Sequence, residues 1–255
     1  MNFSELKGFL DEKADVYNKP DFIQDDPVQI PHRFSLKQDI EIAGFLAATI
    51  SWGNRKSIIK SAEKMLDIMG NSPYDFVLNH SEKDLRLLKD KSIHRTFNGE
   101  DFSYFIKQFH KIYNENQSLE NLFLINHQEN NFYHSIERFR QKFLGIEKHR
   151  THKHVSSPYK NSSSKRIMMF LRWMVRNDKR GVDFGIWENI DLKFLSIPLD
   201  VHTGNISRKL GLISRTQNDW KTVEELDIII RKFDEKDPAK YDFALFGLGV
   251  TKELF

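Results

Sequence analysis

Residues 197–212 read IPLDVHTGNISRKLGL and are the most informative stretch of this sequence. Asp200 follows a proline and precedes a basic run that stops at Gly211. Glycine is common just past the end of a helix, and aspartate is a preferred residue at the start of one. The same carboxylate could also face a positive charge that develops on a ligand. The stretch therefore predicts a helix that begins directly after Asp200.

Composition limits the class of protein. A chain of 255 residues is long enough for one large domain or two small ones. It contains no cysteine, which excludes disulfides, thiolate zinc sites and iron–sulfur clusters. The N-terminal residues lack a signal-peptide pattern, and no apolar run reaches the length of a membrane span. We therefore expect a soluble, cytoplasmic protein that does not enter a membrane.

Apolar residues recur with helical spacing along most of the chain. Ser81 and Asp84 have the spacing of a capping box that opens a short helix. No convincing alternation with a period of two is present, so the sequence predicts an all-α protein of about ten helices. The clearest apolar faces lie within residues 42–50, 58–69, 102–113, 132–143 and 223–233.

Positive charge is concentrated in one region of the chain. Residues 148–180 contain ten lysines and arginines and a single acid, Asp178, which gives this region a charge of +9 with its histidines neutral. Such a density suggests a polyanion partner, and nucleic acid is the obvious one. The alternative is a solvated loop followed by the basic face of a helix.

Lys165 stands directly before the apolar run at residues 167–175. The serines before it, Ser162, Ser163 and Ser164, are good capping residues and place Lys165 in the first turn of a buried helix. The positive end of a helix and desolvation both disfavour a protonated amine, which prepares it to act as a nucleophile. The alternative is an ordinary surface lysine that contacts solvent or phosphate. Asp200 likewise has the alternative role of a helix cap alone.

A lysine nucleophile and an aspartate at the tip of the next helix suit cleavage of an N-glycosidic bond. The chain resembles the helix-hairpin-helix DNA glycosylase superfamily, and in particular its archaeal 8-oxoguanine glycosylase branch. The resemblance covers about residues 39–250. It is carried by Lys165 in SKRIMMF, Asp200 in PLDVHT, the ending RKLGL at 208–212, DFALFGLG at 242–249 and FLAATISW at 45–52.

The resemblance implies an all-α fold of two helical subdomains with a cleft between them, within one unit of residues 1–255. Residues 36–180 would form a central bundle with Lys165, and residues 1–35 plus 181–255 a second subdomain with Asp200. It also implies a DNA glycosylase and abasic-site lyase that removes a damaged base, such as an oxidised purine, through a Schiff base on Lys165. The implied partner is double-stranded DNA with a flipped base, bound by a monomer without a cofactor.

The sequence departs from this superfamily at the hairpin, where Leu-Pro-Gly-x-Gly normally grasps a phosphate. Residues 156–161 read SSPYKN instead, and Lys160 is a second candidate for the nucleophile. Serine hydroxyls, backbone amides and basic side chains of this region could hold phosphates. The predicted nucleic-acid contacts are Lys148, Arg150, Lys153, Lys160, Ser162, Ser163, Ser164, Arg166 and Arg208.

Trp52, Asn54 and Arg55 surround Gly53 at the junction between two predicted helices. An aromatic ring, an amide and a guanidinium could stack on a flipped base and bind its edge. The alternative is a packed tryptophan beside an asparagine that caps a helix. We add His202 to these three residues as predicted substrate contacts.

Two further functional classes stay open at this stage. The chain could be a DNA- or RNA-binding protein on the same fold without catalysis, or a helical scaffold that binds protein. The histidines at 149, 152 and 154 lack a closing acid with the spacing of a metal site, so no metal is expected. Neither a phosphate-binding P-loop nor a dinucleotide-binding glycine pattern is present.

Overall fold

The computed structural model describes residues 1–145 and 149–251, and it confirms the all-α prediction. The α-helices of these residues are α1 (Phe3–Tyr17), α2 (Lys37–Thr49), α3 (Arg55–Ile68), α4 (Pro73–Asn79), α5 (Glu82–Arg86), α6 (Gly99–Glu115), α7 (Tyr133–Leu144), α8 (Lys165–Val175), α9 (Val201–Lys209), α10 (Trp220–Phe233) and α11 (Tyr241–Thr251). Short 3-10 helices occupy several of the connections. Among the described helices, none combines the length and the apolar character that crossing a membrane requires.

A small antiparallel hairpin, which the sequence analysis did not predict, lies between α5 and α6. Its strands are β1 (Ser92–His94) and β2 (Phe97–Asn98). Strands of three and two residues are too short to produce a visible alternation of apolar and polar side chains. The predicted capping box at the start of α5 is confirmed, because Ser81 and Asp84 bond to each other's backbone amides.

The described chain divides into two compact units. The first unit comprises residues 1–22, 125–134 and 157–251, and the second comprises residues 23–124, 135–145 and 149–156. This division differs from the predicted one, because α8 and its Lys165 belong to the same unit as Asp200. Within the first unit, Arg172 of α8 forms an ion pair with Asp242 of α11.

Phenylalanine side chains form the centre of the second unit. Phe45 of α2 packs edge-on against Phe109 of α6, with ring centroids 5.7 Å apart, and against Phe139 of α7, at 5.4 Å. Phe105 and Phe143 complete the cluster around Phe45. All five rings are buried. Aromatic rings bury large areas and gain further from edge-to-face contact, so this cluster accounts for part of the chain's high phenylalanine content.

Glu41 is a fully buried charge inside α2 of the second unit. Its carboxylate accepts hydrogen bonds from the Tyr113 hydroxyl at 2.8 Å, from the Leu119 amide at 3.0 Å and from the Ser118 hydroxyl. A buried carboxylate is tolerated only where such donors replace water. Glu41 therefore fastens the connection after α6 to α2.

In the first unit, α11 packs against α1 and α9. Two glycines of α11 permit this close approach. A Cβ atom on Gly247 would lie 2.2 Å from the ring of Tyr17, and one on Gly249 would lie 2.9 Å from the Cβ atom of His202. The surrounding core includes Leu10, Ala14, Ile197, Leu199, Ile206, Val223, Leu226, Ile230, Tyr241 and Leu248.

The extended segment that leads to Asp200 is held by α10. Arg231 donates to the carbonyl oxygen of Leu195 at 3.0 Å, and Asp227 accepts a hydrogen bond from the Ser196 hydroxyl at 2.5 Å. Burial raises the pKa of Asp227 to about 6, although Arg231 and Ser196 both favour its ionised form. Asp227 thus fixes the position of the chain four residues before Asp200.

We predict that Glu41→Ala lowers the free energy of unfolding of the protein by about 3 kcal/mol or more, because it leaves three buried donors unpaired. Glu41→Gln keeps the side-chain volume and one acceptor oxygen, so it should cost clearly less. Urea unfolding followed by circular dichroism measures both. Equal losses in the two variants would contradict the role that we assign to the hydrogen bonds.

We predict that Asp227 makes the protein less stable as the pH rises from 4 to 7.5. Its pKa in the folded protein, about 6, lies above the ordinary value of 3.8, so its contribution to stability is complete below pH 3.8 and is lost as the pH rises through 6. Asp227→Asn should remove this loss, which is at most about 3 kcal/mol. Unfolding at both pH values tests this, with exposed Asp67→Asn as the control. A pH dependence that is unchanged in Asp227→Asn would refute it.

Candidate functional site

Lys165 is the first residue of α8, and this prediction is confirmed. The predicted capping by serine is wrong. Ser164 occupies the capping position with a left-handed φ of 49°, and its side chain makes no hydrogen bond to the amides of α8. Its own amide donates to the Ser162 hydroxyl at 3.1 Å. The left-handed backbone turns the Ser164 side chain away from the helix end, so those amides have no serine cap.

The helix that begins at Lys165 is buried along its length. All nine residues from 167 to 175 are buried, as the sequence predicts. Two of the ten cations in the basic region are buried in and just after this helix: Arg172 is 3 % exposed and Arg176 is 2 % exposed. The sequence predicted that the cations of this region contact either phosphate or solvent. The burial of Arg172 and Arg176 agrees with neither alternative.

Asp200 is the capping residue of α9, and this prediction is also confirmed. Its Oδ1 atom accepts a hydrogen bond from the amide of Thr203 at 2.9 Å. Its carbonyl oxygen accepts from the Asn218 side chain at 2.9 Å, and the preceding carbonyl oxygen, of Leu199, accepts from the Ser163 hydroxyl at 3.2 Å. The last bond ties the residues before α8 directly to the residue before Asp200.

These contacts bring Lys165 and Asp200 together in the first unit. The Nζ atom of Lys165 lies 3.9 Å from Oδ2 of Asp200. The side chains are 26 % and 21 % exposed, so the pair is shielded but open to solvent. One carboxylate oxygen therefore caps α9 while the other faces the amine. The sequence analysis named both residues, and the structure places their functional groups side by side.

Asp242, at the start of α11, is a third residue of this site, and it was not among the site residues predicted from the sequence. Burial raises the pKa of this carboxyl to about 6; the Arg172 guanidinium and the Lys165 amine oppose that rise, and the charge of Asp200 adds to it. Arg172 donates to Asp242, and the side chain of Asp242 is 7 % exposed. The sequence offered one signal for this residue, which is an acid at the start of the otherwise apolar run from Asp242 to Gly249.

The ion pairs continue from Arg172 through the interior of the first unit. Arg172 also binds Asp183, with Nε 3.2 Å from Oδ1. Asp183 in turn lies 3.2 Å from Arg176, whose guanidinium reaches Asp237 at 2.8 Å. Burial raises the pKa of Asp183 despite both arginines. The site at Lys165 is thus one end of a connected chain of buried charges.

The segment before α8, residues 157–164, is held by Asp219, the capping residue of α10. Asn161 adopts a left-handed φ of 60°, its side chain donates to Asp219 at 2.9 Å, and Ser162 pairs with Asp219 as an isolated β-bridge. The Lys160 side chain is exposed, Ser162 and Ser163 are partly exposed, and Ser164 is buried. Four of the predicted phosphate contacts therefore share one turn, although Ser164 faces inward.

Three other predicted contacts of the first unit have different surroundings. Arg166 is partly exposed, and burial lowers the pKa of its guanidinium to about 10. Arg208 donates to the carbonyl oxygen of Arg215 at 2.6 Å and to the Asn218 side chain at 2.7 Å, so it supports the residue that holds Asp200. His202 is exposed on the first turn of α9.

In the second unit, Asn54 caps α3 by accepting a hydrogen bond from the Ser57 amide at 3.2 Å, which is the structural alternative considered for it. Trp52 is partly exposed and lies between two histidine rings. It stacks on His154 with centroids 6.0 Å apart, and its carbonyl oxygen lies 3.1 Å from Nε2 of His94. Arg55 is the first residue of α3 and is partly exposed.

Of the basic residues around position 150, Arg150 is held by a structural contact. Arg150 lies 2.6 Å from Asp101, which is fully buried at the start of α6. Burial alone would raise the pKa of Asp101, but hydrogen bonds from His154, Asn98 and Thr151 lower it to about 2. Lys153 is exposed, whereas Lys148 lies outside the described residues.

The histidines at 149, 152 and 154 have separate partners. His149 stacks on Tyr104 at 4.6 Å, His152 lies 3.1 Å from the carbonyl oxygen of Leu144, and His154 lies 3.1 Å from Asp101. Within the part of the chain that the structure describes, no three histidine or carboxylate side chains are arranged to hold a metal ion.

Comparison with known proteins identifies a family for this chain. No curated protein and no solved structure matches it. Residues 26–251 match DUF2400, which is described as a protein family of unknown function. The match covers most of the chain and includes Lys165, Asp200 and Asp242. The chain is therefore a member of the DUF2400 family.

Proposed function

We propose that this protein is a DNA glycosylase with abasic-site lyase activity, related to the helix-hairpin-helix glycosylases. Its substrate would be duplex DNA that carries a damaged base such as an oxidised purine. The observation that carries the proposal is the 3.9 Å approach of the Lys165 amine to the free oxygen of Asp200. A nucleophile and a carboxylate in contact at a solvent-accessible point are the minimum that this chemistry needs.

Stability alone gives little reason for the pair. An ion pair with this exposure typically stabilises a protein by less than about 1 kcal/mol. Asp200 already caps α9 through Oδ1 and does not need Lys165 for that role. The hydrogen bonds from Ser163 and Asn218 hold the backbone around Asp200 from two directions. Such support fits a carboxylate whose position matters more than its contribution to folding.

In the proposed reaction, the base has left the duplex stack, and the neutral Lys165 amine attacks C1′ of its sugar. The bond between C1′ and the base nitrogen breaks, and its electron pair leaves with the base. The amine transfers a proton to Asp200, which passes it to the departing base. The bond between C1′ and the ring oxygen then breaks, the ring oxygen takes up a proton from water, and the nitrogen electron pair forms a protonated Schiff base between Lys165 and C1′. Loss of a proton from C2′ to water forms a C2′–C3′ double bond and expels the 3′ phosphate, and hydrolysis of the Schiff base by water restores the Lys165 amine.

Asp200 would also act before the attack is complete. Positive charge builds up on the sugar as the base departs, and a fixed carboxylate nearby stabilises that charge. Arg172 holds Asp242 in an ion pair, so Asp200 is the carboxylate that is left to face the amine and the substrate. The two acids therefore have different surroundings and different roles.

The geometry also favours Lys165 over Lys160 as the nucleophile. Lys160 lies on the short 3-10 helix Pro158–Lys160, and its side chain is exposed. Lys165 lies at the start of a buried helix and beside Asp200. Lys160 is better suited to contact a phosphate, so its replacement should weaken binding at low salt and leave the chemistry intact.

We predict that borohydride traps a covalent adduct between the wild-type protein and duplex DNA that carries 8-oxoguanine, uracil or an abasic site. Lys165→Ala and Lys165→Arg should both lose the adduct, since neither offers a free primary amine. The arginine variant keeps the charge beside Asp200, so it should still bind the duplex. Lys160→Ala is the matched control and should form the adduct.

Three outcomes of this experiment decide between the classes of function. An adduct that persists in Lys165→Ala and disappears in Lys160→Ala would move the nucleophile to Lys160. Tight binding of the wild type without any adduct or base release would favour a non-catalytic nucleic-acid-binding protein. If the protein is not retained on duplex DNA, and if this result does not change with salt concentration, a helical scaffold for protein partners is favoured.

We predict that Asp200→Asn separates catalysis from capping. Asparagine caps helices as well as aspartate does, so the free energy of unfolding should change by less than about 0.5 kcal/mol. Single-turnover release of the base should fall by about 10²- to 10³-fold, because the charge that stabilises the sugar is lost. Asp200→Ala is the control that should lose both stability and activity. Full activity in Asp200→Asn would show that its carboxylate does no chemistry.

A further inference from the structure

A second site of the first unit lies at the other end of the chain of buried charges. A cavity of about 360 Å³ is bounded by residues of α1, by the segment after α8 and by the residues between α10 and α11. This volume lies within the usual range of small-molecule sites. Its wall contains five aspartates, which are Asp11, Asp15, Asp178, Asp234 and Asp237.

These carboxylates have too few cations to balance them. Lys7 and Lys240 bind Asp11, and Lys240 also binds Asp234. Arg176 forms ion pairs with Asp178 and Asp237, and Arg180 forms ion pairs with Asp15 and Asp178. Among the described residues, four cations thus pair with five carboxylates, and Arg176 is additionally shared with the buried Asp183. Within this part of the chain, the wall of the cavity therefore carries an excess of negative charge.

Asp11, Asp178, Asp234 and Lys240 of the wall keep their charges at neutral pH. Although burial opposes it, the ion pairs hold the pKa values of Asp11, Asp178 and Asp234 below their ordinary value. Burial would lower the pKa of Lys240, but its two aspartate partners raise it. Protonation therefore does not relieve the excess of negative charge.

Asn18 points independently to a ligand that donates a hydrogen bond in this cavity. It follows the last residue of α1, lines the cavity and is only 3 % exposed. Its Nδ2 atom donates to Asp178, which fixes the orientation of the amide. Its Oδ1 atom is buried and has no hydrogen-bond partner among the described residues. A buried acceptor without a donor is costly, so the cavity favours a ligand that donates.

We infer that this cavity binds a primary ammonium group, as carried by an aliphatic diamine or polyamine. Such a cation supplies the missing positive charge and has three N–H donors, one for Asn18 and two for the flanking carboxylates. An anion would meet the Asn18 acceptor and more carboxylates than cations, which disfavours it. A metal ion fits poorly, because no three carboxylate or histidine side chains among the described residues are spaced to hold one.

The inference goes beyond the proposed glycosylase activity and does not depend on it. Titration calorimetry of the full-length protein with putrescine tests it directly. Binding should be saturable with one site, should weaken as salt rises, and should be absent for 1,4-butanediol, which has the same chain length without charge. Equal binding of the diol, or saturable binding of Mg²⁺ with none of putrescine, would overturn the inference.

Two variants locate the site. Asn18→Leu keeps the number and branching of the side-chain heavy atoms and removes the acceptor, so putrescine should bind about tenfold more weakly. Asp15→Asn removes a carboxylate whose side chain is 66 % exposed, so it should fold normally and also weaken binding. Asp67→Asn, an exposed aspartate of α3 in the second unit, is the control for net charge. Unchanged affinity in Asp15→Asn would refute the site even if Asn18→Leu did not fold.

A further ligand separates two sources of the amine. Nα-acetyl-lysine methylamide presents the same ammonium group as a lysine of a protein partner. Affinity equal to that of putrescine would support the site and assign it to a protein lysine. Affinity well below that of putrescine and spermidine would support the site and assign it to a free polyamine.

Discussion

The bifurcated ion pair of Arg172 is the constraint on which the first unit depends. A guanidinium that is 3 % exposed in an apolar helix costs several kcal/mol unless carboxylates compensate it. Asp183 and Asp242 provide that compensation from the segment after α8 and from α11. The pairing therefore fixes α8 against α11. Because α11 also packs on α9, the same contact sets the separation between the start of α8 and the start of α9.

The candidate site follows from that separation. Lys165 opens α8 and Asp200 caps α9, so two helix N-termini meet with an amine on one and a carboxylate on the other. Arg172 pairs with Asp242 close by, which leaves Asp200 to face the amine. The meeting of the two helix starts thus provides the amine and the carboxylate that the proposed reaction requires.

The sequence predicted local features well and long-range ones poorly. The starts of α8 and α9, the capping role of Asp200 and the burial of α8 depend on neighbouring residues, and each prediction is confirmed. The contact between Arg172 and Asp242 joins residues 70 positions apart, which no local pattern encodes. The predicted serine cap failed for a similar reason, since Ser164 has a left-handed backbone and the segment before it pairs with Asp219, far along the chain.

In the proposed mechanism, Lys165 is a nucleophile and not only a partner for Asp200. Mass spectrometry of the borohydride-reduced complex with abasic-site DNA, after digestion by protease and nuclease, tests this role at the level of the residue. We expect a sugar remnant on the peptide that contains Lys165 and on no other lysine. A remnant on another lysine, or no remnant on any peptide from a protein that binds the duplex, would contradict it.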